Sequence, residues 1–180
     1  MYEMGIDPTQ VKTATDGPAF ILGTLGANAG TSTMYTAPMG TTGSTAGTNV
    51  GPKAYVYCKS AAGVTAGNVV LIDGTTTDAV AASATTGAAG TGMGKQLGVV
   101  VGTIAANGFG WVQVYGKATF LVVAATAANS PVSLGATAGA FDDLTTTGSI
   151  TVTGVQIQAV NSTTGTGFLN WPHLVVDDVT

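Results

Sequence analysis

One histidine, one cysteine and nine acidic residues are all that this chain offers for proton transfer, nucleophilic attack or metal binding. His173 stands directly after Pro172, and a catalytic triad or a histidine-based metal site needs partners that a single imidazole does not have. Cys58 has no second cysteine, so it makes no internal disulfide and no cysteine cage; inside "AYVYCK" it reads as a small apolar strand residue. The run "GTGMGKQ" (90–96) invites a phosphate-loop reading at its Gly-Lys step. It fails because Ala89 stands where the first glycine is needed and Gln96 where Ser or Thr is needed. Two acidic pairs remain, Asp142–Asp143 and Asp177–Asp178. Calcium wants about six to eight oxygen ligands, and the better reading is aspartates that end strands by accepting backbone N–H groups in turns. Asn161-Ser162-Thr163 spells a glycosylation sequon, a triplet common by chance. No G-x-S-x-G is present. The sequence therefore predicts no catalysis, no cofactor and no metal.

The totals narrow the partners. Only 8% of the 180 residues are charged, far below the usual quarter, while 45% are hydrophobic. Such a surface predicts extensive contact with other protein rather than a freely solvated monomer. Five lysines and no arginine stand against nine acids, for a net charge of −4. Nucleic-acid binding needs a basic stripe and arginine forks, so it is excluded. No membrane segment is expected: the long uncharged window "QLGVVVGTIAANGFGWVQVYG" (96–116) is broken by Gly, Asn and Gln, and reads as strand, turn, strand. The N-terminus "MYEMGIDPTQ" has neither a basic region nor an apolar stretch, and no signal peptide is expected.

The elements that carry these residues read as strands. "AYVYCK" alternates Tyr55, Tyr57 and Lys59 with Val56 and Cys58. Gly67–Asn68 turns into Val69–Ile72, a short buried strand; Ala79–Ser83 is a weaker one. Leu97–Ile104 and Phe109–Gly116 form a hairpin with Asn107–Gly108 at the turn. On its second strand Phe109, Trp111, Gln113 and Tyr115 share one face, and Val112 and Val114 the other. The valine face belongs to a core. The aromatic face carries Gln113 in its middle, so it is expected not to be fully buried, and to meet the opposite sheet or a neighbouring subunit. Ala118–Ala125 is a further strand. Ile150–Val160 changes phase at Gly154, where a bulge keeps Ile150, Val152, Val155 and Ile157 all inside. Phe168–Val176 closes the chain, with Trp171 extended because it precedes Pro172. No stretch has helical periodicity over three turns. The expected fold is all-β, a single sandwich or barrel domain over residues 53–180, of about eight or nine strands.

Residues 1–52 read as an extended low-complexity arm. No charge occurs from Gly17 to Pro52, and only Ala19–Leu22 offers an apolar anchor. Fixing a backbone costs roughly 1–2 kcal/mol per residue, so this arm is expected either to be a disordered tail or to order only on a partner.

Four pieces in order, "AYVYCKSAAGVTAGNVVLID", "LGVVVGTIAANGFGWVQVYGKA", "GATAGAFDDLTTTGS" with "VTGV", and "LNWP", resemble the head decoration (cement) proteins of tailed bacteriophages over residues 53–173. The resemblance implies a jelly-roll or tulip-like β-domain, assembled as a homotrimer on the outer surface of the expanded head and made in the bacterial host cytoplasm. Its partners would be the major capsid protein and its own copies, and it would stabilise the shell against DNA pressure without catalysis or cofactor. Contacts with capsid or neighbouring protomer are then expected from Phe20, Ile21, Leu22, Met34 and Tyr35 of the arm, and from Trp111, Tyr115 and Trp171. The rival expectation is a head fibre or adhesin that binds host glycans through Trp111, Tyr115 or Trp171.

Overall fold

The computed structural model describes residues 8–28, 52–73, 76–82, 96–144 and 150–175, none of them helical. Their strands are β1 (Leu25–Asn28), β2 (Lys53–Ser60), β3 (Val69–Ile72), β4 (Ala79–Ala81), β5 (Gln96–Val100), β6 (Gly108–Leu121), β7 (Val132–Leu134), β8 (Asp142–Asp143), β9 (Ile150–Asn161) and β10 (Thr164–Leu174). They form one antiparallel system in the order β1-β2-β6-β5-β10-β9-β7-β8, with β3 on β5 and β4 on β3. β6 pairs with β2, β5 and β10, so the sheet bends around it without closing into a barrel. The all-β, sandwich-like expectation holds.

Two strands expected on either side of Gly116 are one. Gly116 takes a left-handed φ of 92°, and the pairing of β2 with β6 slips by one residue between Ala54 and Tyr55. The chain bends there without leaving the sheet, because only glycine accepts that conformation cheaply. The alternation along β6 then sorts two cores onto its even face. Val112 and Val114 join Val56, Cys58, Val70, Val100 and Ile104. Ala118 and Phe120 join Val69, Leu97, Leu134, Phe141 and Leu169, where Phe120 meets Phe141 edge-on at 5.1 Å.

β9 and β10 form a long hairpin whose turn is Ser162–Thr163. Val152 and Ile157 are buried in the core of Phe120 and Phe141, and Ile150 and Val155 pack against it partly buried, despite the phase change. The irregularity opposite Gly154 lies in β10, however. From Leu169 to His173 that strand advances four residues while β9 advances two. Trp171 is consequently not extended but left-handed, at φ 49°. The excess residues must be turned out of the ladder, and this register overrides the local preference set by Pro172. His173 pins the loop: its Nε2 lies 3.0 Å from the Thr153 hydroxyl and its Nδ1 3.3 Å from the Trp171 carbonyl oxygen.

The N-terminal region differs from its expectation between residues 8 and 28. It orders on the chain's own sheet. Lys12 and Phe109 exchange two backbone hydrogen bonds of 2.8 Å, and β1 pairs in register with β2 from Leu25↔Val56 to Asn28↔Lys53. The edge of β2 supplies the partner that this segment lacks by itself. Met34 and Tyr35 lie outside the described residues.

Candidate functional site

The odd-numbered face of β6 carries Phe109, Trp111, Gln113, Tyr115, Lys117, Thr119 and Leu121. Its two halves have different fates. Over the first half runs a strap, residues 18–25. The Ala19 N–H donates to the Tyr57 hydroxyl at 3.1 Å, the Gly23 N–H donates to the Tyr57 carbonyl at 2.9 Å, and the Tyr57 N–H donates to the Thr24 carbonyl at 3.0 Å. These bonds aim Phe20 and Leu22 at Tyr55, Tyr57 and Trp111. The rings of Phe20, Tyr57 and Trp111 lie 5.0–5.3 Å apart, centre to centre, each pair adding about 0.5–1.5 kcal/mol beyond its area. Burial alone pushes the Tyr55 phenol up to about 12.

Two expectations change here. Trp111 is completely buried, and Gln113 nearly so at 5% exposure. Gln113 tolerates this because its Nε2 donates to the carbonyls of Tyr115 and Lys117, both at 3.0 Å; the bend at Gly116 brings those carbonyls within reach. Trp111 is thus a core residue of the strap cluster and presents no surface to a capsid, a glycan or a neighbouring protomer. Its Nε1 is buried with no hydrogen-bond partner, an arrangement that costs about 1–3 kcal/mol. Phe20 and Leu22 point into the chain's own body. Ile21 points out, 84% exposed, and so does Leu25, at 63%.

The second half of the face is more open: among the described residues Tyr115 and Thr119 are exposed, and Lys117 and Leu121 partly so. Antiparallel pairing places Asn170 opposite Tyr115, Phe168 opposite Lys117, Thr166 opposite Thr119 and Thr164 opposite Leu121. Tyr115, Phe168 and, beside them in the β10 bulge, Trp171 are exposed. Phe168 carries no motif. The alternation of "TGTGFLN", in which Gly165, Gly167 and Leu169 turn inward, is the only trace of its position in the sequence. Next to this face opens a groove of about 560 Å³, lined by Lys53, Gln113, Lys117, Thr119, Thr164 and Thr166 among others. Burial first, and the neighbouring charge of Lys117 second, lower the Lys53 pKa below its ordinary value.

The residues first weighed for chemistry stay apart. Cys58 is fully buried, and burial, with the Asp78 carboxylate as a smaller cause, pushes its thiol up to about 12. It is expected to react with a thiol reagent at pH 8 at least about a hundredfold more slowly in the native protein than in urea, because little thiolate forms; equal rates would place the thiol at the surface. Asp143 accepts from the Ala127 N–H at 2.9 Å, and Asp142 from the Asp143 N–H at 2.9 Å, which are turn roles. Asp177 and Asp178 lie outside the described residues. Among the described residues, no three of His, Cys, Asp and Glu gather where they would hold a metal ion, and no helix is long and apolar enough to cross a membrane.

No family model, curated protein or solved structure matches this chain.

Proposed function

We propose that this chain is a structural virion protein that binds the outside of the expanded head of a tailed phage, works as a homotrimer, and stabilises the shell of the major capsid protein against packaged DNA. The ordered resemblance over residues 53–173 supports this reading, as does the all-β domain with so few charges. The observation that carries it furthest is the strap. It is tied to the body by Phe20 and Leu22, yet it presents Ile21 and Leu25, the two most exposed large apolar side chains among the described residues. Side chains of that kind bared on an ordered edge suit a docking contact. Such contacts, each weak, gain avidity when a trimer repeats them on a symmetric shell. No catalytic step and no cofactor enter this reading.

The test is co-sedimentation of the purified chain with expanded heads that lack it, with unexpanded proheads as control. Saturable binding to expanded heads alone is expected, and Ile21→Asp combined with Leu25→Asp is expected to weaken it at least tenfold. Binding to neither particle overturns the decoration reading. It would favour a head fibre or adhesin instead, a reading that draws on the exposure of Tyr115 and Trp171. Full binding by the double variant would move the docking contact away from the strap.

A further inference from the structure

We infer that the outer face of β6, β10 and β9 binds a neutral carbohydrate with the flat, extended chain of a cellulose-type glucan.

Strand pairing sets this surface out in rows. β10 lies between β6 and β9, so antiparallel register puts Tyr115 beside Asn170, Lys117 beside Phe168 and Gln156, and Thr119 beside Thr166 and Ala159. Phe168 stands at the centre of the face, and Tyr115 is its diagonal neighbour at roughly 7–8 Å. Both rings are exposed, as is Trp171, which follows Asn170 directly.

Two strands cooperate to display Trp171. On β10 the excess residues turn out of the ladder, and Trp171 takes its left-handed φ of 49°, a conformation that costs an L-residue about 1–2 kcal/mol. On β9 Gly154 makes room for that loop. A Cβ there would collide with the Asn170 carbonyl oxygen and lie 3.1 Å from the Pro172 Cα. His173 holds the loop from its other end, through the Thr153 hydroxyl and the Trp171 carbonyl oxygen. A strained residue held in place by its neighbours, with a large ring at the surface, marks a bulge that re-aims a side chain outward.

The groups between the rings select the ligand. Phe168, Tyr115 and Trp171 are interspersed with the amides of Asn170 and Gln156 and the hydroxyls of Thr119 and Thr166. A sugar uses both kinds of group: its C–H face lies on an aromatic ring, and its hydroxyls meet groups that donate and accept. Of the residues in these rows only Lys117 is charged, so the face has no set of counter-charges for an ionic ligand. The backbone of β10 is paired with β6 on one side and β9 on the other from Thr164 to Leu169. An extended peptide therefore finds no strand edge to join there. A flat sheet surface suits a flat, equatorially linked sugar chain, which can lie along the rings. Tyr115, Phe168 and Trp171 take no part in the cluster under the strap, and the inference does not rest on the decoration reading.

The experiment is calorimetric titration of the full chain with cellohexaose, with maltohexaose, whose axial linkages curl the chain, as control. Saturable binding of cellohexaose is expected, at least tenfold tighter than that of maltohexaose. Phe168→Ala and Trp171→Ala are each expected to weaken it at least tenfold. Val80→Ala, which trims an exposed apolar side chain on β4, is expected to leave it unchanged, with thermal melting showing each variant folded. The Ile21→Asp, Leu25→Asp double variant should bind cellohexaose normally whether or not it binds heads, so failure of the decoration reading would leave this result standing. Equal binding of maltohexaose would overturn the assignment to an extended chain. No saturable binding of cellohexaose, or full binding by both aromatic variants, would overturn the inference outright. So would a loss of assembly mass in Phe168→Ala, measured by sedimentation, with no sugar bound by either form, since the face would then be a seam between copies.

Discussion

Replacing Trp111 by alanine is expected to remove about 3–5 kcal/mol of folding stability, the cost of emptying a fully buried aromatic site. Trp111 is the largest completely buried side chain, and the strap closes on it through Phe20. A domain of this size has only about 5–15 kcal/mol to lose, so the variant should unfold at a far lower urea concentration. The strap should loosen with it, because Phe20 and Leu22 have no other cluster to enter. Trp111→Phe separates two causes. It keeps an apolar ring and removes the indole N–H that has no partner. Its cost is therefore expected to stay under about 1.5 kcal/mol. Equal losses in the two variants, measured by urea unfolding, would show that the indole N–H makes a bond after all.

The second large effect concerns Gly167→Ala. A Cβ on Gly167 would fall onto the backbone carbonyl of Gln156 in β9. A flexible side chain could swing away, but a paired strand cannot. The expected loss is about 3 kcal/mol, the upper end of the range for overpacking, and the β9–β10 hairpin should be the part that opens. Gly17→Ala is the comparison. Gly17 is left-handed at φ 71° but has no neighbour within 4 Å, so it should cost only the conformational strain of about 1–2 kcal/mol. If urea unfolding found Gly167→Ala no more harmful than Gly17→Ala, the close approach of β10 to β9 would not exist as described.

Strand content was legible from local pattern. Alternation in "AYVYCK" and the unbroken apolar run at Val69–Ile72 mark β2 and β3 because side chains repeat every two residues and a buried strand must satisfy both faces. Gly154 signalled an irregularity because no simple alternation keeps both Val152 and Val155 inside. The excess residues themselves fall in β10, a matter of register between two strands that neither strand records alone.

The site was less legible, and the reason is the same. Gln113 in the middle of an aromatic face argues for exposure by its polarity. Only the fold shows that its amide is satisfied by carbonyls two and four residues further along, and that Phe20, from far earlier in the chain, covers its neighbour Trp111. Composition alone makes the N-terminal region an arm in search of a partner, since small residues cannot offset the entropy of ordering. The partners for residues 8–28 are strands of the chain's own sheet, Phe109 of β6 for Lys12 and the open edge of β2 for Gly23–Asn28, both created by folding. Lys53 and Lys117 lie 64 positions apart and become neighbours because β2 pairs with β6. By itself the sequence determined an all-β chain, since strand periodicity is local and additive. The tertiary structure alone decided which aromatic is core, which is surface and which charges meet, because burial and proximity are properties of strands brought together.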